Sequence, residues 1–374
     1  MSKLDELIAE LCPDGVEFVT VEEICDITRG RVMSKNYLRE NTGVYPVYSS
    51  QTANNGVFGY INTFDYDCES VTWTTDGANA GSVFYHINEK FSITNVCGLL
   101  RVKNNELVST KFLFYVLQVY AKKYVNDGMG NPKLMSNVMA RISVPLPPLP
   151  VQQEIVRILD NFTELTAELT AELTARRKQY EYYRKILIKN SNNIRQYSLG
   201  ELATLKTGSK PKDVFEFPHK YEYINAGTTN SGYTDKANCD GDTVTTPSRG
   251  QGGIGFVGYQ YDPFWLGPLC YRIKSRNDKI VTNRYLFYYL SCFNEKILAY
   301  KKEGGTPSVN ASDLVNIIVD VPPLTEQKRI VAILDRFDAL CNDLTSGIPA
   351  EIEARQKQYE YYRDKLLSFK EVTA

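Results

Sequence analysis

The heptapeptide KQYEYYR occurs twice in this chain of 374 residues, at 178–184 and again at 357–363. The strings before it also match, since PLPVQQEIVRILDNF begins at Pro148 and PLTEQKRIVAILDRF begins at Pro323. Further upstream, LVSTKFLFY corresponds to IVTNRYLFY. The chain is therefore a tandem duplication of a globular region followed by a long helix, with a repeat too long for a solenoid. We expect a function that needs two copies of one device.

Composition limits the classes of protein that remain. The 43 basic residues nearly balance the 44 acidic ones, so any surface for nucleic acid must be local. The length allows two or three domains, and each half is long enough to bury its own core. The eight cysteines form no CxxC pair, the sequence has no membrane-length apolar run, and we expect no signal peptide. This pattern predicts buried free thiols in a cytoplasmic protein, without a metal site.

The two repeated helical regions carry a heptad pattern. Apolar or seam positions recur at steps of three and four from Ile155 to Leu187, and the same series runs from Ile330 to Leu366 with one further step of four. This spacing predicts two helices of about 40 residues that pack as a coiled coil. Proline-rich strings precede both helices and fix their starts.

The two helices differ in the middle. The first contains ELTA three times, from Glu164 to Ala175. Each unit of four residues adds about 6 Å while keeping one Leu per turn, which predicts a spacer of adjustable length. The second contains Gly347 and Pro349, which are expected to bend or break it. The first helix is thus predicted to be the straighter one and to join one globule to the other.

The globular regions alternate Val, Tyr and Phe with frequent Gly, Asn and Asp, which predicts short twisted strands. The LVSTKFLFY string and its counterpart predict one packed helix in each region, with the aromatic side chains mainly in the core. The expected fold class is α+β. The predicted boundaries are a first globule at 1–144, a first helix at 145–190, a second globule at 191–320 and a second helix at 321–370.

These features together resemble the specificity subunit of type I restriction-modification systems. The motifs that carry the resemblance are PLPxQxxIVxILDxF at the helix starts, the TAEL-type tetrapeptide repeat and KQYEYYR at the helix ends. The resemblance implies that each globule is a target-recognition domain with a twisted, mainly antiparallel sheet, reading one half of a split DNA site in the major groove. It also implies that the helices pack as an antiparallel coiled coil with pseudo-two-fold symmetry, which sets the gap between the half-sites.

The same resemblance implies partners. Two methyltransferase subunits are expected to bind the helices, and restriction-translocase subunits are expected to join them. The assembled complex would be an adenine-specific DNA methyltransferase and an ATP-dependent restriction endonuclease. S-adenosylmethionine, ATP and magnesium are expected only on those partner subunits, and no chemistry is expected in this chain.

The residues independently favour a non-catalytic chain. An adenine methyltransferase grips its base with a D/N-P-P-Y/F loop, whereas the nearest string here is DPFW, starting at Asp262. GQGGIG, starting at Gly250, fits the GxGxxG pattern, but a strand-like run follows it where a dinucleotide fold requires a helix. The sequence also lacks a GxxxxGK[ST] phosphate-binding loop.

Candidate DNA contacts lie in polar, glycine-rich loops, because Asn or Gln pairs with adenine and Arg or Lys with guanine. In the first globule the candidates are Arg29, Arg31, Lys35, Asn36, Gln51, Asn54, Asn55, Thr74, Asp76, Asn79 and Lys133. In the second they are Lys210, Lys212, Asn225, Thr228, Asn230, Ser248, Arg249, Gln251, Thr306 and Ser308. Corresponding loops differ in sequence while their flanks agree, which suits two different half-sites. The alternative is that these residues are ordinary turn formers.

The repeated heptapeptide predicts a protein interface. Its seam tyrosines, Tyr180, Tyr183, Tyr359 and Tyr362, are expected to pack between the helices. The predicted partner-binding residues lie off the seam and are Lys178, Tyr182, Arg184, Lys357, Tyr361 and Arg363. Exposed tyrosines beside cations are typical of interfaces, although a solvated face is the alternative.

Two other classes of function remain open. A stand-alone bipartite DNA-binding regulator should be more basic than this chain, because its phosphate contacts must supply the affinity unaided. A coiled-coil scaffold whose globules bind protein would show no sequence-dependent affinity for DNA. Within the resembled family, a silent or recombination-donor copy is a further possibility, and a silent copy would assemble without directing methylation.

Overall fold

The computed structural model describes residues 2–126, 128–343 and 345–372. The chain divides into two compact units. Unit 1 is Met1–Glu168 together with Ile352–Ala374, and unit 2 is Leu169–Glu351. Each unit therefore combines one globular region with a stretch of helix from both repeats. Within the described residues, no helix has the length and apolarity needed to cross a membrane.

Unit 1 begins with a globule of short elements. Its helices are α1 (Lys3–Leu11), α2 (Val21–Ile24), α3 (Lys35–Glu40), α4 (Thr110–Tyr120) and α5 (Ser136–Ala140). Its strands are β1 (Glu17–Thr20), β2 (Cys25–Arg29), β3 (Thr42–Tyr48), β4 (Val57–Ile61), β5 (Tyr66–Asp67), β6 (Ser70–Thr74), β7 (Val83–His86), β8 (Lys90–Ile93), β9 (Cys97–Val102) and β10 (Ser143–Leu146).

The strands of unit 1 form two four-stranded sheets and one short pair. The first sheet has the order β2-β9-β6-β7 and is antiparallel throughout. The second has the order β4-β3-β8-β5, and in it β3 and β8 run parallel. Strands β1 and β10 pair antiparallel where the chain enters and leaves the globule. Helix α4 buries Phe112, Leu113 and Tyr115 in the core, as expected for its aromatic string.

One unbroken helix, α6 (Leu149–Lys189), follows and contributes to both units. Unit 2 then contains β11 (Arg195–Ser198), α7 (Leu199–Leu202), β12 (Ala203–Thr207), β13 (Tyr221–Ile224), β14 (Tyr233–Thr234), β15 (Thr243–Pro247), β16 (Gly258–Gln260), β17 (Trp265–Leu266), β18 (Cys270–Ser275), α8 (Asn283–Cys292), α9 (Glu295–Leu298), α10 (Ala311–Leu314) and β19 (Ile318–Val321). The last helices are α11 (Leu324–Asn342) and α12 (Ile348–Leu366).

Unit 2 repeats the plan of unit 1. Its first sheet has the order β12-β18-β15-β16, its second has the order β14-β13-β17, and β11 pairs with β19. The matching helices α2 and α7 both start with a capping box, formed by Thr20 and Glu23 in unit 1 and by Ser198 and Glu201 in unit 2. The α+β class, the mainly antiparallel sheets and the internal duplication are therefore confirmed.

The first sheets of the two units carry their large aromatic residue on different strands. In unit 1, Trp73 of β6 lies opposite Gly98 of β9, and a Cβ at Gly98 would lie only 2.1 Å from the Trp73 ring. In unit 2, Thr246 of β15 lies opposite Tyr271 of β18. The bulky side chain is on one strand in unit 1 and on its neighbour in unit 2, so the same backbone is filled by different sequences.

In unit 2, α6 and α11 run antiparallel. The Arg177 Nη2 atom donates to the Cys341 carbonyl (3.3 Å), and the Tyr183 ring stacks on Phe337 with 6.3 Å between centroids. As the residue number rises along α6, the number of the contacted residue in α11 falls, which is the pattern of antiparallel helices. In unit 1, Phe162 of α6 stacks on Tyr362 of α12 at 5.6 Å. Each unit thus pairs a Phe from one repeat with a heptapeptide Tyr from the other.

The predicted interruption of the second helix is confirmed. Helix α11 ends at Asn342 and α12 begins at Ile348. A Cβ at Gly347 would lie 2.6 Å from the Ala339 carbonyl oxygen, so this close approach requires glycine. The thiols also agree with expectation, since all eight cysteines are free and all but the half-buried Cys68 are buried.

The heptad pattern missed one face of the long helices. Leu159 of α6 and Leu334 of α11 are fully buried, and each lies in the core cluster of its own globule. Neither belongs to the predicted seam. The starts of α6 and α11 therefore serve two apolar contacts at once, with the facing helix and with the globule beside them.

Candidate nucleic-acid interface

Two of the predicted loops of unit 1 form one surface. Loop 74–81 follows β6, and loop 130–133 precedes α5. The Gly77 N–H donates to the Pro132 carbonyl (2.9 Å), and the Leu134 N–H donates to the Thr75 carbonyl (2.9 Å). We call these two loops loop pair 1.

Unit 2 builds the same surface from its own loops, 246–253 and 304–308. The Gly250 N–H donates to the Pro307 carbonyl (3.0 Å), and the Val309 N–H donates to the Ser248 carbonyl (2.9 Å). We call these loops loop pair 2. Backbone hydrogen bonds depend little on side-chain identity, so this frame tolerates different side chains on its surface.

Loop pair 1 carries an acid between two cations. The Asp76 carboxylate lies 3.8 Å from Arg29 Nη2 and 3.8 Å from Lys133 Nζ. Arg29 is also held by the Thr75 hydroxyl (2.9 Å) and the Asn95 carbonyl (2.6 Å), both accepting from Nη2. The predicted candidates Arg29, Asp76 and Lys133 thus come together, and mutual ion pairing restrains their side chains.

Loop pair 2 carries different charges on the matching positions. The exposed Arg249 forms a backbone bridge to Ser308, as Asp76 does to Lys133. Thr207 ends β12 where Arg29 ends β2. An acid with two cations in unit 1 is therefore replaced by one exposed guanidinium in unit 2. The two surfaces share a backbone and differ in what they can bind.

A second group of candidates in unit 1 lies near its second sheet. Arg31 Nε pairs with Asp65 at 3.1 Å, and Nη1 donates to the Tyr37 hydroxyl at 3.1 Å. The hydrogen bond with Tyr37 and the charge of Asp65 raise the pKa of the Arg31 guanidinium, which therefore stays charged. Lys35 and Asn36 are exposed at the start of α3, with the Asn36 side-chain oxygen accepting from Arg39 (3.1 Å).

The turn after β3 presents amide side chains. Asn54 and Asn55 both have a φ of 51°, a left-handed conformation that Asn tolerates better than most residues, and both are exposed. Gln51 is half-buried and donates to the Val57 carbonyl, so it braces this turn. Asn54 and Asn55 are the amides of unit 1 with a free edge toward solvent in this loop.

The matching turn of unit 2 borders a cleft of about 240 Å³ that Asn225, Thr228 and Asn230 help to line. The Asn225 side-chain oxygen accepts from the Leu269 N–H (3.0 Å), and the Asn230 amide donates to Glu222 (3.4 Å). Thr228 is exposed. Lys210 and Lys212 lie exposed on the segment after β12, and Gln251 and Thr306 lie exposed on loop pair 2.

Two candidates require correction. Thr74 is fully buried, and its hydroxyl donates to the Asn79 carbonyl. Ser248 is also buried, and its carbonyl holds loop pair 2 together. Both residues order the loops and leave little or no surface exposed for DNA, because small polar residues at strand ends serve turns as readily as ligands. Asn79 and Ser308 are half-buried and keep part of their surface.

The predicted partner-binding residues divide into two groups. Tyr182 and Tyr361 are each 63% exposed, and Lys178 and Lys357 beside them are exposed as well. Arg184 instead lies over the Tyr180 ring (5.5 Å), and Arg363 lies over the Tyr359 ring (5.6 Å). The prediction that these two arginines belong to the exposed face is corrected, since they cover the seam tyrosines by cation–π contact.

The heptapeptide tyrosines dock on the globules. Tyr359 donates to the Gln118 side-chain oxygen of α4 (3.0 Å) in unit 1, and Tyr180 lies in the core cluster of unit 2. Burial raises the pKa of Tyr180 to about 12, so it stays neutral at physiological pH. Among the described residues, no group of three or more His, Cys, Asp or Glu side chains is placed to hold a metal ion.

A duplicated chain that presents one loop frame twice, with different side chains each time, is a protein built for two related recognition events. A family model described as the type I restriction modification DNA specificity domain matches residues 13–176 and again residues 192–354. The chain belongs to this family of DNA specificity subunits. A type I DNA specificity domain in each half of the chain argues against the stand-alone regulator and the protein scaffold.

Known relatives agree with this assignment. A protein named as a type I specificity subunit in Mycoplasma pneumoniae is 34% identical over 363 residues, covering 93% of this chain and 96% of the relative. A type I restriction enzyme specificity subunit of the same species is 42% identical over 205 residues, covering 53% and 60%. The crystal structure of an S subunit from M. genitalium has the same fold, with a TM-score of 0.65 at 18% identity over 94% of this chain and 96% of that one.

Proposed function

We propose that loop pair 1 and loop pair 2 are the principal DNA-reading surfaces, one for each half of a bipartite site. The observation that carries this proposal is the repeated backbone frame, in which Gly77 bonds Pro132 and Gly250 bonds Pro307. A constant frame with variable side chains is what two half-sites of different sequence require. Arg249, Arg29 and Lys133 supply the donors that suit guanine or phosphate.

The turns beside the loop pairs extend the same surfaces. Asn54 and Asn55 supply exposed amides of the kind that pair with adenine. Lys210 and Lys212 supply cations suited to phosphate positioning, which carries no sequence information by itself. With a net charge of −1 the whole chain gives little non-specific attraction to DNA, so basic surface from partner subunits would complete the affinity.

The helices are proposed to dock the other subunits and to set the gap. Two matching patches, Lys178 with Tyr182 in unit 2 and Lys357 with Tyr361 in unit 1, would each bind one methyltransferase subunit, and restriction-translocase subunits would join them. Those partner subunits would bind S-adenosylmethionine, ATP and magnesium. The complex would be cytoplasmic, would methylate adenine and would cleave unmodified DNA. The ELTA stretch of α6 supplies a spacer that lengthens by about 6 Å for each added unit.

Single alanine variants in the assembled complex test the reading surfaces. Lys133→Ala should impair recognition of one half of the motif, and Arg249→Ala should impair recognition of the other half. Each variant should lower methylation by about tenfold, for the loss of a contact of about 1–3 kcal/mol. Lys328→Ala, an exposed lysine of α11, is the matched control and should have no effect. Loss spread equally over both half-sites, or no loss from either loop variant, would contradict the assignment.

A further inference from the structure

Unit 2 encloses a guanidinium in an aromatic cage. The Arg284 Cζ atom lies 4.6 Å from the Tyr259 ring centroid and 4.8 Å from each of the Tyr261, Phe287 and Tyr288 centroids. The side chain is only 12% exposed. Four rings around one cation form a site that recognises delocalised positive charge.

Carboxylates complete that cage. Arg284 Nε pairs with Asp335 at 2.8 Å, and Nη2 lies 3.7 Å from Asp338. The Tyr288 hydroxyl donates to the same Asp335 oxygen at 2.6 Å. The guanidinium therefore contacts both ring faces and anions, which offsets the cost of burying its charge.

Unit 1 has the corresponding site with a lysine in place of the arginine. Lys111 stands at the position of Arg284 in the matching α4 string, and Tyr115 and Asp160 stand at the positions of Tyr288 and Asp335. The Tyr115 hydroxyl donates to Asp160 at 2.6 Å, and Lys111 Nζ donates to Asp160 at 2.8 Å. The network around the carboxylate is thus shared by the two units, while the caged group is not.

Two rings of the unit 1 cage follow from strand register and helix position. Tyr85 of β7 pairs with Val71 of the neighbouring strand, as Tyr259 of β16 pairs with Val244. Phe114 corresponds to Phe287 and lies 6.0 Å from Tyr85 between centroids. The Lys111 ammonium lies 5.5 Å from the Tyr85 centroid, at the edge of the cage.

Unit 1 has an open cleft of about 750 Å³ at the position that corresponds to the Arg284 cage of unit 2. Tyr85, Phe114 and Tyr115 line it, together with the carboxylates of Glu89, Asp160 and Glu164. At the position of Tyr261, the fourth ring of unit 2, unit 1 has the exposed Ile87 and therefore lacks that ring. Asp160 is paired with Lys111, and Glu89 is engaged by His86 at 2.7 Å and by the Tyr48 hydroxyl at 2.9 Å, whereas Glu164 is exposed at the rim.

We infer that this cleft of unit 1 receives an arginine side chain from a partner protein, in the place that Arg284 fills within unit 2. Its rings and its acidic rim suit a guanidinium, which is flat, weakly hydrated and able to bond two carboxylate oxygens. A lysine ammonium is more strongly hydrated and would gain less from the rings. In the part of the chain that the structure describes, no residue of loop pair 1 lines this cleft, whereas Asn55 of the turn after β3 does.

Peptide titration of the full chain tests the site. The probes are acetyl-Gly-Arg-Gly-amide and its Lys counterpart, and the readout is the methyl NMR signal of Ala167, which lines the cleft. The arginine peptide should shift this signal to saturation and bind more tightly than the lysine peptide. Absence of a saturable shift, or equal affinity for both peptides, would overturn the inference.

Two variants localise the binding. Lys111→Arg gives unit 1 the cage occupant of unit 2 and should lower affinity for the arginine peptide by about tenfold, the weight of a desolvated cation–π contact. Glu164→Gln changes an exposed rim residue without touching the core and should lower it by about two- to threefold. Wild-type affinity in both variants, with unchanged thermal unfolding, would place binding elsewhere. A shift of Ala167 on concentrating the chain without peptide would make a second copy the occupant and overturn the inference.

Discussion

Gln152 and Gln327 make the same three hydrogen bonds in the two halves of the chain. The Gln152 side-chain oxygen accepts from the Ser109 N–H (2.9 Å). Its amide nitrogen donates to the carbonyls of Leu107 (2.9 Å) and Pro147 (2.7 Å). One side chain therefore joins the start of α6 to the start of α4.

Gln327 repeats the arrangement in unit 2. It accepts from the Thr282 N–H (3.1 Å) and donates to the carbonyls of Ile280 (2.7 Å) and Pro322 (2.9 Å). Both glutamines are fully buried. The glutamine of the PLPxQ and PLTxQ strings thus attaches each long helix to its globule. Its buried side-chain amide pairs with backbone groups that would otherwise lack hydrogen-bond partners.

Replacing Gln152 by Leu should lower the free energy of unfolding by about 3 kcal/mol or more, because one N–H and two carbonyl groups lose their partner in the interior. Urea titration followed by circular dichroism measures this change. Gln153→Leu, at the exposed neighbouring position, is the control and should change stability by less than about 0.5 kcal/mol. Equal effects of the two variants would contradict the role given to Gln152.

Removing the exposed tyrosines should separate assembly from folding. Tyr182→Ala with Tyr361→Ala should leave the unfolding transition unchanged and reduce co-purification with the methyltransferase subunit at least tenfold, as expected for loss of two aromatic anchors. The neighbouring exposed acids, changed as Glu181→Ala with Glu360→Ala, provide a matched control on the same helices. Undiminished assembly of the tyrosine variant would show that Tyr182 and Tyr361 do not bind the methyltransferase subunit.

Changing the ELTA count should change the gap in the recognised motif. One added unit lengthens α6 by about 6 Å, which corresponds to an increase of one to two base pairs at about 3.4 Å per pair. Both half-site sequences should stay the same, which makes them the internal control. A gap that does not respond to the repeat number would show that this helix is not the spacer.

The cysteines should differ in reactivity in the folded chain. Burial raises the pKa of Cys25, Cys97 and Cys270 to about 12, so very little thiolate is available at pH 8. Cys68, which is half-buried, should react first with iodoacetamide, and peptide mass spectrometry measures the order. Unfolding in urea should make all eight react. Modification of Cys97 as fast as Cys68 in the folded chain would contradict the core placement.

Local rules predicted the elements well and the surfaces less well. Gly347 and Pro349 predicted the helix break because backbone restrictions act on neighbouring residues. The two loop pairs were not predicted as pairs, because their hydrogen bonds join residues more than fifty positions apart, as in Gly77 and Pro132. Burial of Thr74 at the loop start likewise depends on distant packing.

The internal repeat provides a signal that a single copy would not. Lys111 and Arg284 occupy matching positions because the strings around them align, so the amino-acid sequence alone pairs them. The alignment cannot show that Arg284 is caged while Lys111 lies beside a cleft. The fourth ring position, Tyr261 in unit 2 and Ile87 in unit 1, follows a strand and lies outside the aligned helix strings. The stacking of Arg184 and Arg363 on seam tyrosines was missed because side-chain direction along a helix is not given by heptad position alone.

Mapping methylated adenines genome-wide by long-read sequencing, after co-expression with the neighbouring methyltransferase subunit and with an empty-vector control, tests the specificity function most directly. A chain that reads DNA with two different loop pairs should direct methylation to one motif made of two short, unlike half-sites around a fixed unread gap. A soluble complex that methylates no motif, or a motif without two separated halves, would contradict bipartite reading by this chain.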